Sequence, residues 1–167
     1  MAISTIGTNA LGASAVALAT QTSGVLPATA LPAGSVIQVV QGTPLTTTVS
    51  TGTTYVTTGC SVTITPQFSN SKILITLSGG NLDAVTANSQ PALFIYKNGT
   101  NITPNGIASI YAPSSRLITN VPIVYLDSPA TTSATTYTLW LANINTSSSI
   151  NFNNQTSYAA LIAQEIR

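Results

Sequence analysis

The sequence predicts an all-β fold: an antiparallel β-sandwich, jelly roll in type, with an extended N-terminal arm. Three observations predict it. From residue 34 onward, one short segment after another alternates apolar and polar residues with a period of two, each bounded by Gly, Pro, Asn, Asp or Ser. Polarity is carried by Thr, Ser and Asn, with 28, 19 and 13 copies among 167 residues. Thr suits strands, and Ser and Asn suit turns. No helix of useful length is expected after residue 33, and the length suits one domain with a real core.

Residues 1–33 differ from the rest. Small residues dominate, no residue is charged, and single aliphatic anchors are spread among them: Ile3, Ile6, Leu11, Val16, Leu18, Val25, Leu26 and Leu31. The Ala content of 10–20 is compatible with a helix, but Ser and Thr interrupt it and it has no clean cap. Pro27 and Pro32 favour extended backbone before them. The segment is too apolar for a solvated tail. The expectation is an arm that lies along another protein's surface.

The strands follow in order. Residues 35–41 (SVIQVVQ) are the first. The Thr-rich stretch 46–58 reads as two short strands or one broken strand, and 61–65 turns Val62 and Ile64 inward. Residues 72–78 (KILITLS) put Ile73, Ile75 and Leu77 on the core face, and Gly79-Gly80 ends that strand. Residues 91–97 (PALFIYK) run into Asn98-Gly99, a strong two-residue hairpin signal, and 100–103 pair back. A short strand at 108–112 precedes a Pro-Ser-Ser loop. In 121–126, Val121, Ile123 and Tyr125 face one way and Pro122, Val124 and Leu126 the other. In 135–142, Tyr137, Leu139 and Leu141 share a face and Trp140 takes the opposite one. Both segments are apolar on both faces, so a second sheet covers one side and another subunit is a candidate for the other. Trp140 is the candidate subunit-facing aromatic, since large aromatics are enriched at interface cores; a second core face is the alternative. Residues 148–153 and 158–166 close the domain, which is expected to run over 34–167.

Composition excludes several chemistries. Only Lys72, Lys97, Arg116, Arg167, Asp83, Asp127 and Glu165 are charged, and there is no histidine. No Ser-His or Cys-His pair exists, and three acids leave little room for paired-carboxylate catalysis. Asp127 reads as a turn cap and Asp83 as a loop residue. Glu165 and Arg167 are candidates for a pair across an interface. A net charge of +1 without a basic cluster argues against nucleic acid. The lone Cys60 reads as a small core side chain and rules out a Cys-rich zinc site. No window is long and apolar enough for a helical membrane span, and the N-terminus lacks the features of a signal peptide. The chain is therefore expected to be no enzyme and to need no cofactor or metal. Its low charge has two readings: a neutral, hydroxyl-coated surface, or a surface covered in an assembly.

Three stretches carry a resemblance: GSVIQVVQ (34–41), TTYVTTGCSVTITPQFSNSKILITLSGG (53–80) and VYLDSPATTSATTYTLWL (124–141). Together with a closing C-terminal strand, they resemble a β-sandwich module of bacteriophage virion proteins, frequent in phages of cyanobacteria. The segment 126–137 is its most specific part. The closing strand departs from the family, since YAALIAQEIR ends more polar than the apolar family ending. The module occurs at the ends of tail fibres and in small head-decoration proteins. With only a 33-residue arm before the module, the chain looks like a capsid cement protein. The resemblance then implies a homotrimer on the capsid exterior, made in the host cytoplasm, that binds the major capsid protein and uses its arm anchors as capsid contacts. It implies no nucleic acid and no membrane partner. The alternative it leaves open is a short tail-fibre or receptor-binding tip, whose loops at 81–90 and 143–149 contact host surface glycan.

Overall fold

The computed structural model describes residues 28–154 and 158–167. The arm anchors Ile3, Ile6, Leu11, Val16, Leu18, Val25 and Leu26 lie outside the described residues. Leu31 lies inside them; it is half-buried and donates its N–H to the Ala28 carbonyl at 3.3 Å. The unit described below runs from Pro32 to Arg167.

The fold is all β. Its strands are β1 (Val36–Gln41), β2 (Val49–Thr51), β3 (Val56–Ile64), β4 (Lys72–Gly79), β5 (Leu82–Ala84), β6 (Pro91–Lys97), β7 (Thr100–Asn101), β8 (Ala108–Ser109), β9 (Leu117–Thr119), β10 (Val124–Asp127), β11 (Thr135–Asn143), β12 (Ile150–Phe152) and β13 (Ala159–Ile166). Every pairing between them is antiparallel. One sheet has the order β1-β13-β4-β10. A second has the order β3-β11-β6-β7, with β8 also on β6. A third, smaller sheet has the order β2-β12-β5-β9.

The period-two pattern places the core. Along β11, Tyr137, Leu139 and Leu141 are fully buried, while Thr136, Thr138 and Trp140 on the other face are half-buried. Along β4, Ile73 and Ile75 are fully buried. Val62, Ile64, Leu93, Ile95 and Leu161 meet them in one continuous core, to which the third sheet adds Leu82, Ile150 and Phe152. Burying each such aliphatic side chain is worth ~1.5–3 kcal/mol against exposure. The sandwich thus closes around the inward residues of all three sheets.

The hairpin at Asn98-Gly99 forms as expected. Both residues have positive φ, 48° and 83°, and the flanking pairs are Tyr96 with Asn101 and Lys97 with Thr100. A primed turn of this kind matches the twist of the strands it joins.

The expected strand 108–112 is cut short to β8, the expected strand 121–126 begins only at Val124 in β10, and the structure differs from the sequence reading in three further places. The Thr-rich stretch does not break at residue 58, because Gly59, at φ 83°, sits in a bulge that carries β3 on to Ile64. Residues 82–84, within an expected loop, form β5 because Leu82, Asp83 and Ala84 are all buried. The third sheet was not expected, since all four of its strands are only three residues long. A three-residue strand is too short for period-two alternation to declare itself.

Candidate functional site

All three acids turn inward. Asp83 lies within β5 and is fully buried. Its carboxylate accepts from Arg116 Nε at 2.9 Å and Nη2 at 2.7 Å, and from the amides of Asn151 at 2.8 Å and Asn154 at 2.6 Å. Burial alone pushes this carboxyl up. The Arg116 guanidinium and the two amides outweigh burial and hold it below the usual carboxylate range. The reading of Asp83 as a loop residue is therefore corrected: it is the anchored centre of the third sheet.

Asp127 closes β10. It accepts from Lys97 Nζ at 3.2 and 3.0 Å and from the Tyr137 hydroxyl at 2.7 Å. Its carboxylate is thus bound by side chains of β6 and β11, not by the turn that follows it, which corrects the turn-cap reading. Burial and then the Asp127 hydrogen bond push the Tyr137 hydroxyl far above its ordinary pKa.

Glu165, also fully buried, does not reach outward to Arg167. It accepts from Gln38 Nε2 at 2.6 Å and from the backbone N–H groups of Gln67 and Phe68 at 2.8 and 3.2 Å. Burial raises its carboxyl, and these donors bring it below the usual range. Arg167 instead lies over the Phe68 ring, 5.3 Å from its centroid. Each carboxylate is therefore a structural pin with its own set of donors.

Cys60 is buried, as the sequence suggested. Its thiol lies 3.4 Å from the Ala159 carbonyl, and burial pushes its pKa up to about 11. It has neither the access nor the thiolate character of a nucleophile.

Trp140 stands on the outer face of the second sheet, half-buried and stacked on Tyr96, with ring centroids 4.3 Å apart and planes inclined by 18°. The pair packs on a small second cluster of Ala92, Phe94 and Ala142. The loops at 81–90 and 143–149 are brought together at one place. The Asn145 amide donates to the Asn88 carbonyl at 2.8 Å, and the Ile144 N–H to the Gln90 carbonyl at 3.0 Å. Asn143, buried beneath them, accepts from the Gln90, Asn145 and Thr146 N–H groups. Tyr111 and Ile144 are exposed.

The outer face of the first sheet was only half-legible in the sequence. Cross-strand register puts Val124, Thr76, Ile162 and Gln41 in one row, then Leu126, Leu74, Gln164 and Val39, then Lys72, Ile166 and Val36. Val36, Val39, Val124 and Leu126 are 50, 59, 66 and 49% exposed. The two-sided apolarity of 121–126 was the signal that existed; β1 gave no such signal until β13 set its register.

No family model matches the chain, and a search of curated proteins finds no significant match.

Proposed function

We propose that this chain is a structural protein of a bacteriophage virion, a homotrimeric capsid decoration protein that stabilises the head shell by binding the major capsid protein. The observation that carries the proposal is where the resembling stretches fall in the fold. They supply β1, β3, β4, β10 and β11, which belong to both large sheets. The shared pattern is therefore a framework and not a local motif. The strand order supports a jelly roll: between β3 and β13 the chain passes back and forth between the β1-β13-β4-β10 and β3-β11-β6-β7 sheets, and its first and last strands lie side by side. Internal pairing of every acid fits a scaffold better than an acid–base catalyst.

A cement protein stabilises by binding the assembled shell and not its free subunits. The test is to add purified chain to expanded empty heads of its phage and count copies per particle. Occupancy in the hundreds, with shells that resist heat and chaotropes better than bare ones, is the expected result. A few copies per virion, located at the tail, overturn it in favour of a tail-fibre tip. The joined loops with exposed Tyr111 and Ile144 are the feature that favours that second reading.

A further inference from the structure

The chain carries 13 asparagines, and two of them precede glycine: Asn98-Gly99 and Asn105-Gly106. Such a pair can rearrange unaided when the glycine nitrogen attacks the asparagine side-chain carbonyl carbon. With no Cβ beside it, that nitrogen is the least hindered the backbone offers. The sequence ranks the two pairs as equals; their surroundings separate them. Asn98 is fastened. Its N–H donates to the Thr136 carbonyl at 2.9 Å, and its Oδ1 accepts from the Thr136 N–H at 2.9 Å. It also forms half of the two-residue turn across which Lys97 pairs with Thr100. Asn105 is exposed in the turn Thr103-Pro104-Asn105-Gly106, and its carboxamide has no hydrogen-bond partner among the described residues. What holds this pair is one bond, from the Gly106 N–H to the Thr103 carbonyl at 2.9 Å. The chain on either side is fixed to β6: Thr103 Oγ1 accepts from the Ile95 N–H at 2.8 Å, and the Ile107 N–H donates to the Leu93 carbonyl at 2.8 Å. The tip of this turn opens without undoing a strand pair, whereas Asn98 is itself the hairpin.

We propose that Asn105 is a site of spontaneous deamidation in the folded protein and that Asn98 is spared. The modification does not depend on the decoration reading above. Water is the only co-reactant. The Gly106 nitrogen loses its proton to hydroxide and bonds to Asn105 Cγ. The Cγ–Nδ2 bond breaks, and Nδ2 takes up a proton and leaves as ammonia. Water then adds to either imide carbonyl and opens the ring to aspartate or isoaspartate. The sum is carboxamide plus water to carboxylate plus ammonium, with no redox change. An exposed hydrogen bond that must first open slows such a step by roughly 2–10-fold. Asn105 has one in its way. Asn98 has two, lost together, and the primed turn besides, so the sites differ by about tenfold or more. The consequence is electrical. Asp83, Asp127 and Glu165 are all buried, so the product puts the chain's first acidic side chain into water. Its one negative charge cancels the formal net charge of +1.

The test is to hold the full chain in mildly alkaline buffer for weeks, folded and in guanidinium chloride, with circular dichroism as the check on folding. One tryptic peptide, 98–116, contains both pairs, so fragmentation in the mass spectrometer locates each conversion and identifies isoaspartate. Expected in the folded chain is conversion at Asn105 at least about tenfold faster than at Asn98. In denaturant the two rates converge, because the bonds that separate them are gone. Isoelectric focusing of the aged folded chain shows an acidic band, and Asn105→Gln, at an exposed position, removes it. Three results overturn the assignment: conversion at Asn98 as fast as at Asn105, conversion of neither in the folded chain while both convert in denaturant, or an acidic band that persists in Asn105→Gln.

Discussion

At the scale of single residues, the charged groups act as fasteners. Tyr137 is fully buried and its hydroxyl donates to Asp127 at 2.7 Å. Tyr137→Phe removes one hydrogen bond to a charged acceptor, which is worth ~1.5–3 kcal/mol. The expected result is a lower denaturant midpoint with an unchanged m-value. Asp83→Ala is worse, because it strands Arg116 and two amides. Breaking a buried pair by deleting one partner costs ~3–5 kcal/mol, and the half-exposed Arg116 puts this case at the lower end. A loss under ~1 kcal/mol in urea unfolding would show that water replaces the carboxylate without penalty. None of these pairings was readable from the sequence. Lys97 and Asp127 are 30 positions apart, and Asp83 and Asn151 are 68. A carboxylate next to a Ser-Pro looks like a turn cap until the fold brings a lysine and a tyrosine to it.

At the scale of elements, glycine separates two kinds of turn. Gly99, in the β6–β7 hairpin, has φ 83° and open space where a Cβ would stand. Gly79, at the end of β4, has φ 76°, and a Cβ there would lie 2.0 Å from the Tyr158 carbonyl oxygen. Gly99→Ala therefore costs only the left-handed strain, ~1–2 kcal/mol. Gly79→Ala adds a backbone collision, because β4 and β13 approach each other there. The expected loss is at least ~1.5 kcal/mol greater than at Gly99, measured as the difference between the two denaturation midpoints; equal losses would refute the crowding argument. Long elements were legible for a physical reason: β3, β4, β6, β11 and β13 each run seven residues or more, enough for alternation to declare itself. The Asn-Gly turn was legible because few other pairs accept two positive φ angles. The third sheet was not, because its strands are held by partners and not by pattern.

At the scale of the whole molecule, stability against pH follows from the buried groups. Asp83 and Glu165 have folded pKa values below their unfolded ones, about 3.9 and 4.3. Their contribution is complete above the unfolded values and is lost as pH falls through the folded ones. Cys60 has the opposite sign. Its pKa rises from 9.0 to about 11, so its contribution is complete below 9.0 and is lost as pH rises toward and through 11. No histidine is present to titrate between these limits. The melting temperature is therefore expected to stay level from pH ~5.5 to ~8.5 and to fall below pH ~4 and above pH ~9. A step near pH 6.5 in calorimetry would contradict this. At the same scale, the arm proposal makes a separate prediction. Ordering a free segment costs ~1–2 kcal/mol per residue, and burying an aliphatic side chain returns ~1.5–3 kcal/mol. For residues 1–33 that is ~33–66 kcal/mol of ordering against ~12–24 kcal/mol from the eight anchors, so the arm expected from the sequence binds only where a preformed groove supplies further contacts. Deleting residues 2–30 is expected to abolish decoration of expanded heads; unchanged occupancy would place the binding in the sandwich.

The neighbouring placement of β1 and β13 also bears on how the chain is made. β13 lies between β1 and β4 and is synthesised last. Until β13 leaves the ribosome, β1 has no paired strand among the described residues and β4 is paired on one side only. The first large sheet therefore completes only after every other strand has been made. Folding dominated by such end-to-end pairing is slow, in the millisecond-to-second range. For that interval the same strands that later carry the exposed valines are open edges, at risk of joining the wrong partner.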